Sequence, residues 1–379
     1  MDKRRVYFSN LNGLRFIAAF LVIIHHIEQL KYLFKLPNYW ETIPFIEVIG
    51  YLGVVLFFVL SGFLITYLLL AEEHTFKTIS VRKFYIRRML RIWPLYFLIV
   101  FLAFFILPNI SFFTLPGPEY TKEALHGGFL LKLLLYLVFL PNLAVSLIGT
   151  IPYAAQTWSI GAEEQYYLVW PVILKYFKKH KMVLMFCIIF LYVFVVKMTE
   201  SNYTDFIPNK AVVKAFISSF NIDCMAIGGI YAILLFQKHR ALKILLNNYF
   251  FYSVLLIVIA LLIGGITIPY LNAECYALLF GIIILNFAAN DKIKISLENK
   301  VLNYLGNISY GLYMYHSIGI VLTLVICRQL NFVSNWLLYL LSFIFTIILA
   351  GLSYKYFEMF FLKYKDMFSN IVSGNNNKE

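Results

Sequence analysis

Residues 46–70 read IEVIGYLGVVLFFVLSGFLITYLLL. A single charge, Glu47, stands near the start, and the run is uncharged from there to its end. As a helix rising about 1.5 Å per residue, such a run exceeds a hydrocarbon core of roughly 30 Å. Its apolar residues do not keep to one face, which marks a segment surrounded by lipid or protein on every side. Similar runs recur on both sides of it. The sequence predicts an all-α integral membrane protein, with about ten transmembrane helices in one bundle. They fall at roughly 13–30, 46–70, 91–108, 160–176, 182–198, 211–236, 249–265, 271–289, 307–326 and 334–357.

Composition agrees with this reading. The chain is 61% hydrophobic and 13% charged, whereas a soluble domain carries about 25% charged residues. A soluble all-α protein is therefore disfavoured. The net charge of +13 would suggest nucleic acid if the chain were soluble. Here the basic residues stand in short segments between apolar runs, so topology and contact with anionic membrane lipid explain them without nucleic acid. A polyanionic small molecule is a further candidate partner.

The clusters are Lys77, Arg82, Lys83, Arg87, Arg88 and Arg91; Lys175, Lys178, Lys179 and Lys181; Lys238, Arg240 and Lys243; and Lys292, Lys294 and Lys300. By the positive-inside rule these ends, together with both termini, face the cytoplasm. Residues 128–148 are apolar enough to cross, yet a full crossing there would move the Lys175–Lys181 cluster to the other side. A re-entrant or surface-lying segment within 128–158 resolves the conflict, because irregular backbone is tolerated at membrane depth when protein buries it. Residues 1–365 form one transmembrane domain, and the polar stretch 366–379 reads as a disordered tail.

Cys187, Cys224, Cys275 and Cys327 are far apart in sequence and sit in or beside apolar runs, so no zinc spacing, CxxC pair or other metal site is expected. The basic start precedes a run that carries Arg15, His25 and His26, which reads as a retained first helix rather than a cleaved signal.

Ionisable groups inside membrane helices are costly and mark functional sites. Arg15 and His26 are eleven positions apart, which is three helical turns plus roughly 20° and about 16 Å of rise. They share a face, and His25 lies about 80° off it. Snorkelling of Arg15 and backbone bonding by His26 would also account for them. Trp158-Ser159-Ile160-Gly161-Ala162-Glu163-Glu164-Gln165 opens another helix. A cap and first-turn carboxylates explain part of it. Two adjacent glutamates at membrane depth exceed that need, and a carboxylate can orient a histidine. Arg87, Arg88 and Arg91 suit phosphate oxygens, with Arg87 and Arg91 on one face. Ser61, Asp223, Tyr310 and His316 are further intramembrane polar groups. Ser61, Gly62, Gly228 and Gly229 also read as close-packing points.

Several segments together resemble the membrane acyltransferase family 3, polytopic O-acyltransferases of surface polysaccharides. They are Leu11-Asn12-Gly13-Leu14-Arg15 through His26, Gly53–Phe63, Arg87–Tyr96 and Trp158–Tyr167, with weaker echoes at Asn221-Ile222-Asp223 and at Leu305–Tyr310 with His316. They follow the family's order from residue 11 to about 360. Val55 departs from it, standing where members usually carry Asp or Glu, and no esterase-like domain of the kind some members append is visible.

The resemblance implies acyl-CoA, acetyl-CoA by default, as donor substrate, with no tightly bound cofactor. It implies a carbohydrate hydroxyl as acceptor and a bacterial inner membrane as the location. His26 would be the general base, and Glu163 or, by slight preference, Glu164 would orient it. Arg87, Arg88 and Arg91 would hold the nucleotide end of CoA, and Arg15 would be a CoA contact or a structural partner. Trp158, Ser159 and Tyr310 are candidate oxyanion donors. A covalent acyl-histidine is the mechanistic variant. A transporter of a glycan or small anion is the alternative from another class, although no repeated halves are visible; a structural scaffold would leave the buried charges unexplained.

Overall fold

The 46–70 run lies inside a longer helix, Pro44–Phe76. Pro44 takes the first-turn position, where its missing N–H costs nothing. Lys77 closes the helix in a left-handed turn at φ 60°. The structure, a computed structural model, describes residues 5–120, 127–332 and 334–374.

Around this central helix the chain is almost wholly helical. Its first three helices are α1 (Leu11–Leu33), α2 (Pro44–Phe76) and α3 (Val81–Phe101). Two short helices follow, α4 (Phe129–Leu137) and α5 (Pro141–Ile148). Next come α6 (Thr157–Tyr176), α7 (Lys181–Glu200), α8 (Lys210–Ser218) and α9 (Ile222–Phe236). The remainder are α10 (Asn248–Ile263), α11 (Asn272–Ala289), α12 (Lys300–Asn307), α13 (Ser309–Gln329), α14 (Asn335–Ser353) and α15 (Met359–Lys365). Among the described residues, 8 helical stretches are long and apolar enough to cross a membrane. The protein is an all-α, multi-pass integral membrane protein. The other two expected crossings are also helices of the bundle: α10, with 16 residues, and α6, which carries Glu163 and Glu164.

The centre of the bundle is a backbone-to-backbone contact between α2 and α9. A Cβ on Gly62 would run into the backbone of Met225, and one on Gly228 into the carbonyl of Val59. Small residues let helices approach this closely in lipid, where packing rather than hydrophobicity drives association.

The basic segments gather at one end with both termini. β1 (Arg5–Val6) pairs in parallel with β2 (Val372–Ser373). Glu72, at the end of α2, accepts hydrogen bonds from the Ser80 backbone and Asn370 and pairs with Arg87. Lys181 pairs with Glu73, and Glu298 accepts from Tyr7, the Asn10 backbone and Asn303.

Residues 128–158 contain a hairpin of the two short helices α4 and α5 in place of one crossing helix. Gly128 before α4 lies against Ile148 at the end of α5, so the hairpin starts and ends at one level. Its turn reaches the depth of mid-α3, where Phe139 stacks on Tyr96 with ring centroids 4.4 Å apart and packs against Trp93. Two boundaries differ from expectation. α3 begins at Val81 rather than 91, so Arg82 to Arg91 are helical; long cationic side chains reach water from a helix end and do not break it. The expected 211–236 helix is broken at Asn221, which is left-handed at φ 45°. The Asn221 amide donates to the Ser218 and Ser219 carbonyls, offering the backbone an alternative to the helical ladder. The expected tail begins with ordered chain: residues 366–374 carry a short turn and β2, and 375–379 lie outside the described residues.

Candidate active site

Three cavities run in series from the terminal end of the bundle toward the far end. The first is a vestibule of about 440 Å³ lined by Arg15, Arg91, Asn303, Glu358, Lys363 and Lys365 among others. The second, a middle chamber of about 130 Å³, is walled by Phe57, Phe58 and Ile65 and carries Arg15, Arg88, Arg91, Ser61 and Glu163. The third, a far chamber of about 580 Å³, holds His25, His26 and His316 among Trp40, Trp158 and tyrosines. Arg15, Arg91 and Tyr310 line both vestibule and middle chamber. Val54 and Tyr313 line both middle and far chambers.

α1 therefore spans the whole series. Its helical phase turns Arg15 into the first two chambers and His26 into the third, as their shared face requires. His26 Nδ1 lies 2.8 Å from the Val22 carbonyl, one turn back on the same helix. A carbonyl can only accept, so this nitrogen carries the hydrogen and Nε2 keeps its lone pair. His25 lines the same chamber but is committed to α2: its Nδ1 meets the Ile46 carbonyl at 2.7 Å, and its ring fills the space that a side chain at Gly50 would need.

The structure does not bring Glu163 or Glu164 to His26. Both α6 carboxylates lie on the terminal side of the Val54–Tyr313 partition. Glu163 faces the middle chamber and accepts from Ser61 at 2.6 Å. Glu164 accepts from the Trp93 indole at 2.9 Å, and its other oxygen is buried without a hydrogen-bond partner among the described residues. The group that orients the His26 ring here is a backbone carbonyl, bonded at Nδ1, where a glutamate was expected.

The arginine cluster divides. Arg88 and Arg91 face the chambers with Arg15, and the Arg88 guanidinium lies over the rings of Phe84 and Tyr167 with its Nε buried and unbonded. Arg87 does not join them. It pairs with Glu72 at 3.5 Å and donates to the Phe368 carbonyl at 3.0 Å, tying α3 to the C-terminal segment. The i, i+4 face expected of Arg87 and Arg91 is thus replaced by the i, i+3 face of Arg88 and Arg91.

Ser159 and Tyr313 hydroxyls lie 2.7 Å apart, and both reach the Gln156 carbonyl. Their two hydrogens serve three oxygens, so an oxyanion would have to displace one of these bonds. Tyr310 donates to the Ile92 carbonyl at 2.9 Å. Trp158 lines the far chamber and packs edge-on against Phe58. Asp223 lines none of the three chambers. It is buried beside Asn221, which accepts at 2.6 Å from Tyr51, a far-chamber residue. Tyr313, Lys363 and Lys365 were not singled out by sequence. Tyr313 stands one helical turn before His316, a spacing that hinted at it; the lysines read only as end-of-chain charge.

A family model described as an acyltransferase domain, acyltransferase 3, matches residues 8–355. The chain belongs to this acyltransferase family. Among curated relatives, it is 28% identical over 192 residues to peptidoglycan O-acetyltransferase OatA of Listeria monocytogenes, covering 48% of this chain and 27% of the relative. It is 29% identical over 177 residues to the putative peptidoglycan O-acetyltransferase YrhL of Bacillus subtilis, covering 44% and 24%. A putative O-acetyltransferase of Staphylococcus aureus is 39% identical over 92 residues, covering 24% and 13%. The matched region thus spans about a quarter or less of these relatives' length. No solved structure matches the chain. Family membership sets the acyltransferase reading above the transporter and scaffold alternatives, and it agrees with a cavity series that ends on a histidine lone pair.

Proposed function

We propose that this protein moves an acyl group, acetyl by default, from acyl-CoA to a hydroxyl of a carbohydrate such as a cell-wall or lipid-linked glycan. The supporting observation is the cavity series itself, cationic at the end that holds the termini and tipped by the His26 lone pair at the other. By the positive-inside rule the terminal end is cytoplasmic, in a bacterial plasma membrane. CoA phosphates sit against Arg15, Arg91, Lys363 and Lys365, where charge-assisted bonds to phosphate are strong. The pantetheine arm crosses the middle chamber past Ser61 and Glu163. The thioester reaches the partition at Tyr313, and the glycan hydroxyl approaches through the far chamber.

His26 Nε2 removes the hydroxyl proton as the oxygen attacks the thioester carbonyl. The new C–O bond forms, the C–S bond breaks with its electron pair leaving on sulfur, and the thiolate takes the proton back. Holding both reactants at one point across a partition supplies the proximity term of the rate enhancement. The test is reconstitution in sealed vesicles with acetyl-CoA on one face and a glycan on the other. Thiol should appear on the terminal face and an acetyl ester on the opposite face, only when both substrates are present. Glycan carried across with no thiol released would overturn the proposal in favour of transport.

A further inference from the structure

His316 is fully buried on α13, and its ring contacts that of His26, with centroids 4.7 Å apart. Its Nδ1 lies 2.6 Å from the Tyr313 carbonyl. By the same reasoning as for His26, that nitrogen carries the hydrogen and Nε2 keeps a lone pair. Each ring is pinned to its own helix by Nδ1, which leaves each Nε2 free of that bond, and the two rings meet between α1 and α13. The Nε2 of His316 is buried and has no hydrogen-bond partner among the described residues. A buried acceptor left unbonded costs free energy and calls for a reason.

The surroundings narrow that reason. No Asp, Glu, Lys or Arg is among the described residues that line the far chamber. The titratable groups facing the pair are His25 and Tyr32 on α1, Tyr51 on α2 with Glu47 near His25, Tyr313 on α13, and Tyr120 and Tyr153 from the connecting segments. His25 is committed to the Ile46 carbonyl, Tyr51 to Asn221, Tyr153 to the Phe113 carbonyl and Tyr313 to Gln156 and Ser159. When His26 takes a proton, a cation forms where no carboxylate among the described residues lines the cavity, and such a charge is costly unless something accepts its hydrogen bond.

We propose that His316 is the positioning partner of His26, its free Nε2 accepting a hydrogen bond from protonated His26 in the imidazole pair seated between α1 and α13. This rests on the acyl-transfer reading above. In the step, the acceptor hydroxyl proton goes to His26 Nε2, the hydroxyl oxygen bonds the acyl carbon, and the C–S electron pair leaves with sulfur. The thiolate then takes the proton from His26. His316 makes and breaks no covalent bond. It holds the imidazolium between the two transfers.

The experiment is a pH–rate profile of CoA-thiol release for wild-type protein, His316→Ala and His316→Gln, each in lipid nanodiscs with acetyl-CoA and glycan. His316→Ala removes the acceptor, so protonated His26 is less stable. The acidic limb of kcat/KM should move about one unit to lower pH, and kcat should fall at least about tenfold. His316→Gln presents an amide oxygen and should return the limb most of the way. Acetyl-CoA binding, measured separately, should be unchanged in both. If His316→Ala does not fold, His316→Leu, with no lone pair, is read the same way. A limb that stays in place in the Ala or Leu variant would overturn the pairing while leaving the acyl-transfer reading intact. Absence of thiol release from the wild-type protein would instead sink the reading on which the pairing rests.

Discussion

Arg91→Ala tests how the donor is held. Arg91 lines both vestibule and middle chamber, so it faces whatever phosphate approaches from the terminal end. Its role is distinguished from that of Arg87, four residues earlier, which is occupied by Glu72 and the Phe368 carbonyl. A hydrogen bond involving a charged group contributes about 1.5–3 kcal/mol, which corresponds to about a 10- to 150-fold change in an equilibrium constant. Arg91→Ala should therefore raise KM for acetyl-CoA about 10- to 150-fold. It should leave kcat nearly unchanged, because Arg91 does not line the far chamber that holds His26, the proposed base. A rise in KM at constant kcat is the signature of lost ground-state binding. The assay is steady-state thiol release with two donors, acetyl-CoA and acetyl-pantetheine, the second lacking the nucleotide. The KM for acetyl-pantetheine should not respond to the substitution. Arg87→Ala should leave both KM values in place and lower thermal stability instead, through the lost tie to the C-terminal segment. An equal KM increase for both donors in Arg91→Ala, or a nucleotide-dependent effect confined to Arg87→Ala, would refute this assignment of the donor site.

Three further outcomes follow from other contacts. Gly62→Ala places a Cβ against the Met225 backbone, and parting two helices in a packed core costs about 1–3 kcal/mol; the loss should appear as a lower aggregation temperature in detergent, and unaltered stability would contradict the α2–α9 contact. Glu163→Gln and Glu164→Gln keep an oxygen for Ser61 and Trp93, so both should fold and neither should displace the acidic limb of the pH–rate profile; a shifted limb would restore a glutamate as the partner of His26. At the terminal end, burial pushes the Glu298 carboxyl pKa up, but the bonds from Tyr7, the Asn10 backbone and Asn303 outweigh it and hold the pKa below the ordinary value. A lowered folded pKa gives stability that is present above the unfolded value of about 4.3 and is lost as pH falls through the folded value. Glu298→Gln should thus cost only about 1 kcal/mol at neutral pH, because solvent screens this site, and should flatten the stability profile below pH about 4; an undiminished acid dependence would show that other groups carry it.

Much of the fold was legible because membrane helices declare themselves one at a time. Length and apolarity located the crossings, and the charge of the short loops called for a re-entrant or surface-lying segment where the chain forms the short helices Phe129–Leu137 and Pro141–Ile148. The phase relation of Arg15 and His26 was readable because both lie on one helix, where geometry is fixed by sequence separation. What depends on the relative depth of two helices was not readable. The separation of Glu163 and Glu164 from His26 was silent in the sequence, because no pattern along the chain states how α6 stands against α1. The true partner of His26 Nδ1 is a main-chain carbonyl, a group present at every residue and therefore silent as a motif. The face of α3 was misjudged in the same way. Arg87 and Arg91 share a face, but the contact of Glu72 with Arg87 decides which face of α3 meets the chambers, and that contact joins residues on two helices.

The central claim is that a donor bound from the terminal end is attacked by a hydroxyl deprotonated at His26. It is tested most directly by one measurement on purified protein in nanodiscs: acetyl ester formed on a glycan from labelled acetyl-CoA, in wild type and in His26→Ala, with acetyl-CoA affinity measured on the same samples. The expected result is loss of ester in His26→Ala, by a factor of about 100 or more, with acetyl-CoA affinity retained. Ester formation at the wild-type rate in His26→Ala would contradict it.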